Sequence, residues 1–497
     1  MNTYIGIDLG TSSVKLLLVS AKGNILNSIT KNYPIYYPQS GWSEQKPEDW
    51  LTSTVQGLNE LLDGYDRNEV KGISVGGQMH GLVLLDDKDN VIRPAILWND
   101  GRTQKQTRYL NEVIGKKKIS QLTANIAFAG FTAPKLLWVK ENEPENFSRI
   151  SKIMLPKDYL TYKLAGVHCT DYSDASGMLL LDVEDKSWSK EMCEICSINE
   201  KWLPQLYESS VKIGNIRDEY NFPNAIITAG AGDNAAAAVG TGTIKNGDCN
   251  VSLGTSGTVF ISRDSFFVDE NNSLHSFVHA NGKYHLMGCI LSAASCNKWW
   301  VEDILQTKDF AAEQEGLEPL LGKNDVFFLP YLMGERSPHN DVNARGAFIG
   351  MRPDTTRKQM SLAVMEGVAF ALRDCIEVAK ASNLKIESTK ICGGGAKSHI
   401  WKTIIANVFG VPVSVLNVEE GPAYGAAILA MVGANEYLSI DDAVNNIVTV
   451  KGTVFPTNEL MEKYEKKYIK FKQLYPALKD FFRNMQLYES SSPYKNA

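Results

Sequence analysis

The sequence predicts an α/β fold built from two domains of similar design. Its 497 residues exceed the length at which a single hydrophobic core usually stops growing. Apolar, strand-like segments alternate with amphipathic helical patterns along the chain. A pattern of strand, small-residue turn and strand also occurs twice, about 245 positions apart, which favours an internal repeat.

The first copy of this pattern opens the chain. Apolar segments at 4–7 and 14–19 predict two strands, and Gly10-Thr11-Ser12 predicts the turn between them. Pro47, a residue that suits the first helical turn, predicts the start of an amphipathic helix. Residues 70–75 predict a further strand. We therefore expect helices packed on a sheet.

The second copy spans residues 250–260, with its small-residue turn at 254–257. We expect the domains to meet close to this copy, giving a first domain of residues 1–245 and a second of residues 246–497. The second domain is predicted to end in a surface helix over 460–482, followed by a polar tail.

Charge and composition exclude several classes of partner. Lys and Arg number 51 against 57 Asp and Glu, so no basic surplus is present to neutralise a nucleic acid. The first residues do not resemble a signal peptide, and no later run is long enough to span a bilayer. The eight cysteines are irregularly spaced and predict reduced thiols. We expect a cytoplasmic protein with neither a nucleic-acid nor a membrane partner.

The two small-residue turns are candidate phosphate sites. Glycine and hydroxyl residues let backbone N–H groups approach an anion closely, so the turns at 10–13 and 254–257 can each hold phosphate oxygens. For one turn alone, an ordinary tight hairpin is the better interpretation. Two copies that open two similar domains favour a nucleotide held between them.

Two aspartates follow strand-like segments. Asp8 ends the first strand, where a carboxylate can hold magnesium through water against phosphates, although a turn-capping role is the alternative. Asp233 stands between a glycine-rich segment and an alanine run that predicts a helix, so it is a natural N-cap. A carboxylate fixed there can also accept the proton of an attacking sugar hydroxyl. The two roles are compatible.

Three further segments have the composition of binding loops. The glycine-rich turn at 392–398 precedes a helical pattern and lets a flat adenine and its ribose lie against bare backbone, with a flexible loop as the alternative. Residues 78–81 and 98–102 supply donors, acceptors and an aromatic wall that suit a polyol. On composition alone, His80 is better explained as a structural histidine.

Together with two long patterns at 130–142 and 346–366, these segments resemble the FGGY family of carbohydrate kinases, a branch of the actin-like ATPase superfamily. The resemblance runs from the first strand to about residue 435. It implies two ribonuclease-H-like domains that flank a catalytic cleft, with the sugar mostly on the first and adenosine mostly on the second. It also implies ATP as phosphate donor and Mg²⁺ as its metal ion. Whether the protein forms a homodimer is left open.

Within the family, the sequence is most similar to the xylulokinase group, through the segments at 78–81, 155–159, 232–234 and 331–339. Glycerol kinases carry Arg-Glu where Met79-His80 stand, which argues against glycerol. The resemblance therefore implies phosphorylation of D-xylulose to D-xylulose 5-phosphate, with Asp233 as the catalytic base. The predicted sites are: for the sugar, Met79, His80, Trp98, Asn99, Asp233 and Asn234; for the nucleotide, Thr11, Ser12, Ser13, Lys15, Thr255, Gly394, Gly395 and Ser398; for the metal, Asp8 and Asp233.

Two kinds of alternative remain. The same chemistry can act on ribulose, gluconate or another polyol, because a few side chains in the cleft decide the substrate and the fold does not. The fold also serves non-catalytic sugar sensors and actin-like assembly proteins. An assembly protein would need neither a sugar-binding loop nor Asp233.

Overall fold

The structure is a computed structural model that describes residues 1–418 and 420–491, with side chains up to residue 485. Two large mixed sheets with helices packed against them form its framework, which confirms the predicted α/β class. No helix in the described part of the chain is long and apolar enough to cross a bilayer.

The first half of the chain supplies one sheet, several short ribbons and the helices around them. Its strands are β1 (Thr3–Leu9), β2 (Ser13–Ser20), β3 (Ile25–Asn32), β4 (Glu44–Gln45), β5 (Val70–Gly77), β6 (Val83–Leu85), β7 (Ala95–Ile96), β8 (Lys152–Met154), β9 (Cys169–Asp171), β10 (Leu181–Asp182), β11 (Ser187–Trp188), β12 (Gln205–Tyr207), β13 (Lys212–Asn215), β14 (Ile226–Thr228) and β15 (Ala231–Gly232). Its α-helices are α1 (Pro47–Leu61), α2 (Gln104–Arg108), α3 (Lys116–Thr123), α4 (Thr132–Asn142), α5 (Pro144–Ser148), α6 (Pro156–Ala165), α7 (Tyr172–Ala175), α8 (Lys190–Cys196) and α9 (Asp233–Gly240).

The second half supplies the other sheet and the longest helices. Its strands are β16 (Cys249–Leu253), β17 (Gly257–Arg263), β18 (His275–Val278), β19 (Tyr284–Ile290), β20 (Phe327–Leu329), β21 (Ala347–Ile349), β22 (Thr389–Cys392), β23 (Val413–Leu416) and β24 (Val450–Val454). Its α-helices are α10 (Ala294–Lys298), α11 (Arg357–Lys380), α12 (His399–Phe409), α13 (Gly421–Gly433), α14 (Ile440–Ile447) and α15 (Asn458–Ser491).

The two sheets share one topology. In the first, the order is β13-β14-β5-β1-β2-β3, with β1, β2 and β3 as an antiparallel meander and β5 parallel to β1. In the second, the order is β18-β19-β17-β16-β22-β23-β24, with β16, β17 and β19 as the meander and β22 parallel to β16. The two predicted hairpins, β1–β2 and β16–β17, therefore open two equivalent sheets. The internal repeat is confirmed as a structural one.

Helix α13 belongs to the second half of the chain but packs against the first sheet. At Gly6 of β1, an added Cβ would lie 1.9 Å from the carbonyl oxygen of Ala423, and at Gly72 of β5 it would lie 2.8 Å from that of Ala430. Glycine is required at these positions because the helix backbone rests directly on the strands. Segments from both halves thus cover the first sheet, and a division at residue 245 stays a prediction.

Helix α15 begins near the predicted point and is longer than the predicted 460–482 segment. The expectation of a purely surface helix is wrong, because one face is buried in the second core through Tyr464, Phe471 and Phe482. Spaced seven and eleven residues apart, these aromatics form one stripe of a helix. Ser490 and Ser491, placed in the polar tail by the sequence pattern, end this helix, and the tail beyond them lies outside the described residues.

Candidate active site

The ends of three neighbouring strands bring the predicted chemistry together. Strands β1, β5 and β15 run parallel, and their register places Asp8 beside Gly76 and Gly76 beside Ala231. The first phosphate turn follows β1, Met79 follows β5, and Asp233 follows β15. Because the carboxyl ends of adjacent parallel strands meet at one edge of a sheet, these segments form one site.

Asp8 is a carboxylate in an unfavourable setting. Burial, the nearby Asp233 carboxylate and Glu420 raise the pKa of Asp8 to about 7, and Lys15 opposes this rise. Lys15 lies directly across the hairpin from Asp8, and its ammonium group pairs with Glu420, the residue before α13. The predicted phosphate ligand Lys15 is therefore engaged by a carboxylate in this structure. Asp8 and Asp233 therefore share this edge of the sheet.

Two carboxylates suit a magnesium ion that takes its other ligands from phosphates and water. They are too few to hold a metal ion with protein ligands alone. No cluster of three or more His, Cys, Asp or Glu side chains suited to a metal occurs in the described residues. Magnesium is usually held by one or two carboxylates together with substrate phosphates and water. Asp8 and Asp233 supply that number of carboxylates, and a cation between them would offset their repulsion.

Asp233 is the first residue of α9, so the N-cap position belongs to Gly232. One carboxylate oxygen of Asp233 accepts hydrogen bonds from the backbone N–H of Asn234 at 2.7 Å and from its side-chain amide at 2.9 Å. Burial raises the pKa of Asp233 to about 6, although these hydrogen bonds oppose the rise. The second oxygen has no hydrogen-bond partner among the described residues, which leaves it available to accept a proton.

A buried charge network lies behind Asp233. Lys157 is fully buried, and its ammonium group lies 3.0 Å from a carboxylate oxygen of Asp171. The other oxygen of Asp171 accepts a hydrogen bond from the hydroxyl of Ser173, which in turn accepts one from the backbone N–H of Gly232 at 3.1 Å. This chain of contacts fixes the backbone immediately before Asp233. Lys157 also pairs with the adjacent Asp158 at 2.7 Å, and two neighbouring charged residues between apolar ones were the signal in the sequence.

On the sugar side, His80 is held in a single orientation. Its backbone has a φ of 68°, its ring stacks on Phe131 at 4.5 Å between centroids, and Nδ1 lies 2.8 Å from the carbonyl oxygen of Gly177. Because a carbonyl only accepts, Nδ1 carries the proton, and Nε2 is left as an acceptor. Burial lowers the pKa of His80 to about 3, so the ring is neutral.

Met79 supplies the apolar wall beside this imidazole. Its side chain is buried, and its sulfur lies 3.9 Å from the side-chain nitrogen of Asn234. At Gly232 an added Cβ would lie 3.0 Å from the same sulfur, so a small residue is needed there. The predicted sugar contacts Met79, His80 and Asn234 are thus adjacent to Asp233.

Buried Lys135 supports the His80 loop. Its ammonium group donates hydrogen bonds to the carbonyl oxygens of His80 at 2.8 Å and of Gly130 at 2.7 Å. The hydroxyl of Thr132 also donates to the carbonyl of His80, at 3.1 Å. Burial lowers the pKa of Lys135 well below its usual value. Sequence analysis gave Lys135 no role, yet a lysine inside an apolar helix needs buried partners and was a usable signal.

Trp98 links the sugar side to the first phosphate turn. Its indole N–H donates to the hydroxyl of Thr11 at 3.0 Å, and 40% of the residue remains exposed. Asn99, Ser12 and Ser13 are not buried, and Ser12 and Ser13 occupy or flank the β1–β2 turn. The predicted phosphate turn and the predicted aromatic wall therefore touch.

The nucleotide residues of the second half meet around a separate cavity of about 670 Å³. Its lining includes Thr255, Gly394, Gly395 and Ser398, together with Trp401. The hydroxyl of Ser398 caps α12 by accepting from the backbone N–H of Trp401 and donates to another side chain, so it is occupied. The glycines leave bare backbone on one wall, as adenosine requires.

Comparisons with known proteins place the chain among sugar kinases. It is 38% identical over 487 residues to a xylulose kinase of Escherichia coli (strain K12), covering 96% of this chain and 99% of that protein. It is 39% identical over 489 residues to a xylulose kinase of Lactococcus lactis subsp. lactis, covering 96% and 97%.

Solved structures of sugar kinases also match the chain. A xyloylose kinase from Brucella ovis matches with a TM-score of 0.92 at 37% identity, over 97% of this chain and 100% of that one. A gluconate kinase from Lactobacillus acidophilus matches with a TM-score of 0.92 at 25% identity, over 96% and 98%. These matches confirm the predicted actin-like ATPase fold with its two ribonuclease-H-like domains.

Family models extend over most of the chain. The N-terminal domain of the FGGY family of carbohydrate kinases matches residues 3–240, and the C-terminal domain of the same family matches residues 249–434. The chain therefore belongs to the FGGY family of carbohydrate kinases.

Proposed function

We propose that the protein transfers the γ-phosphate of MgATP to the 5-hydroxyl of D-xylulose, with Asp233 as the base. The observation that carries this proposal is the meeting of Asp233, Asp8 and the Met79-His80 loop at one sheet edge. Near-full-length similarity to xylulose kinases supports the choice of sugar.

The sugar loop suits an uncharged polyol. Met79 offers an apolar surface, and the neutral ring of His80 offers the Nε2 acceptor to a sugar hydroxyl. The exposed indole of Trp98 supplies a flat wall of the kind that sugars pack against. These side chains read the sugar by hydrogen bonds and shape.

Asp233 accepts the proton of the attacking hydroxyl. Its pKa of about 6 keeps it mostly ionised at neutral pH, and its free oxygen is available because Asn234 occupies the other one. The buried network of Lys157, Asp171 and Ser173 fixes the preceding Gly232 and so holds the base in place.

The phosphates lie between the two turns in this proposal. Asp8 and Asp233 would hold a magnesium ion, which would supply positive charge beside the phosphate oxygens. Thr11, Ser12 and Ser13 present the first turn, and Lys15 would exchange Glu420 for phosphate. The cavity at Gly394 and Gly395 takes the adenosine. A cytoplasmic location, a homodimer and the domain division at residue 245 stay predictions.

Product analysis tests this proposal. The protein is incubated with D-xylulose and MgATP, and the product is examined by phosphorus–proton correlation NMR. We expect the new phosphorus signal to couple to the two protons on C5. Coupling to the C1 protons, or a product containing only inorganic phosphate, would contradict the proposed reaction.

A further inference from the structure

An arginine of the second half of the chain, Arg336, lies close to the sugar side of the site. The backbone around Arg336 is fixed on the second sheet, because the neighbouring Ser337 donates its N–H to the carbonyl of Cys289 and Glu335 accepts from the N–H of Leu291. From this position the guanidinium of Arg336 reaches across to Phe128 of the first half.

The guanidinium lies 5.4 Å from the ring centroid of Phe128. Across the residues that the structure describes, Arg336 makes no ion pair and donates no side-chain hydrogen bond. An arginine has five N–H donors and keeps its charge at all accessible pH values. A partly buried guanidinium with no acceptor is costly, so its natural partner is an oxygen-rich ligand.

Aromatic contacts connect Arg336 to the sugar loop. The ring centroids of Phe128 and Phe131 lie 5.5 Å apart, and the ring of Phe131 stacks on that of His80. The positive charge of Arg336 also helps to lower the pKa of His80, which agrees with their proximity. Next to Phe128, the buried ring of His275 has an Nε2 atom with no partner among the described residues, so this corner holds a second unsatisfied polar group.

We propose that Arg336 contacts the substrate and donates a hydrogen bond to the C1 hydroxyl oxygen of the ketose. This inference rests on the proposed function. If Asp233 takes the proton from the 5-hydroxyl, Met79 and His80 come next along the site, and Phe131 and Phe128 lead from them to Arg336. In this proposal the guanidinium is at the end of the sugar opposite the reacting oxygen.

The test compares D-xylulose with 1-deoxy-D-xylulose, which lacks the C1 hydroxyl, in the parent and in Arg336→Met. For D-xylulose we expect kcat/KM of the variant to fall by about 10- to 100-fold, mainly through KM. For the deoxy sugar we expect little change, so the preference between the two sugars collapses in the variant. Arg352→Met, at an exposed arginine of the same half outside the cleft, is the matched control and should behave as the parent.

Two readouts separate this contact from a structural role. The thermal midpoint and the KM for MgATP should match the parent in Arg336→Met. An equal loss on both sugars, or no loss on either, would overturn the assignment of Arg336. A parent enzyme that leaves D-xylulose unphosphorylated would instead refute the proposed function. The assay of the parent gives this result before any variant is made.

Discussion

The two hairpins that open the two sheets share a scaffold but differ in charge. In the first, Asp8 on β1 faces Lys15 on β2. In the second, the residue two positions before the equivalent glycine is Ser252, and it faces Thr258. The topology of the two halves is therefore equivalent, and the charged pair occurs only in the first.

The strands beside these hairpins differ in the same way. Next to Asp8, β5 leads into the Met79-His80 loop, whereas β22 in the second half leads into the bare glycine turn around Gly394. The first copy thus has carboxylates and a sugar loop at its strand ends. The second has a glycine turn with bare backbone beside a cavity. The comparison teaches that a duplicated framework can separate chemistry from nucleotide binding by changes at a few strand ends.

Removing the base should produce the largest effect. In Asp233→Asn the side chain keeps its size but cannot accept a proton, so we expect kcat to fall by about 100- to 10,000-fold with the KM for D-xylulose nearly unchanged. A coupled ADP assay measures both constants. Asp441→Asn, an aspartate in the first turn of α14, is the control and should retain parental turnover. If Asp233→Asn stayed within a few-fold of the parent, Asp233 would not be the base.

The charged position of the first hairpin can be compared directly with its neutral counterpart. Asp8→Asn should lower kcat/KM for ATP by about 10- to 100-fold at limiting Mg²⁺, because a metal-holding carboxylate is lost, and excess Mg²⁺ should restore part of it. Ser252→Ala changes the equivalent position of the second hairpin and should have little effect on the Mg²⁺ requirement. Equal Mg²⁺ dependence in the two variants would remove the distinction between the hairpins.

A smaller effect should appear in thermal stability. The pKa of Asp8 is about 7 in the folded protein and about 3.9 in an unfolded chain. Between these values the folded state holds a proton that the unfolded state releases, so this group lowers the stability of the parent as pH rises from about 4 to 7. Asparagine cannot ionise. Without Mg²⁺, the melting temperature of Asp8→Asn minus that of the parent should therefore increase from pH 5 to pH 8. A gap that does not change with pH would contradict the burial of a charged Asp8.

Local patterns were enough to predict much of the framework. The hairpin turns, the helix that begins at Pro47 and the helix that follows Gly232 all depend on neighbouring residues, and each occurs as expected. The repeat further indicated that the turns at 10–13 and 254–257 occupy equivalent places. These features depend on periodicity and turn chemistry, which are visible along the chain.

The supports of the site were not predictable in the same way. Lys135 supports the carbonyl of His80, 55 residues away, Lys157 pairs with Asp171, and Arg336 lies against Phe128 of the other half, and a single sequence does not show which of these residues meet. Arg336 also bears on the choice of sugar. A carboxylate such as gluconate favours a cationic clamp, and the second half brings the guanidinium of Arg336 against Phe128, near the sugar loop.

The most direct test of the central claim is a substrate panel in which ADP release is measured with D-xylulose, D-ribulose, glycerol and gluconate under one MgATP concentration. The account predicts the highest kcat/KM for D-xylulose, because its neutral hydroxyls match the Met79-His80 loop. Loss of one matched hydrogen bond should cost a competing sugar about 10- to 100-fold. A higher kcat/KM for gluconate, ribulose or glycerol would contradict the assignment of D-xylulose, and would leave only the carbohydrate kinase family in place.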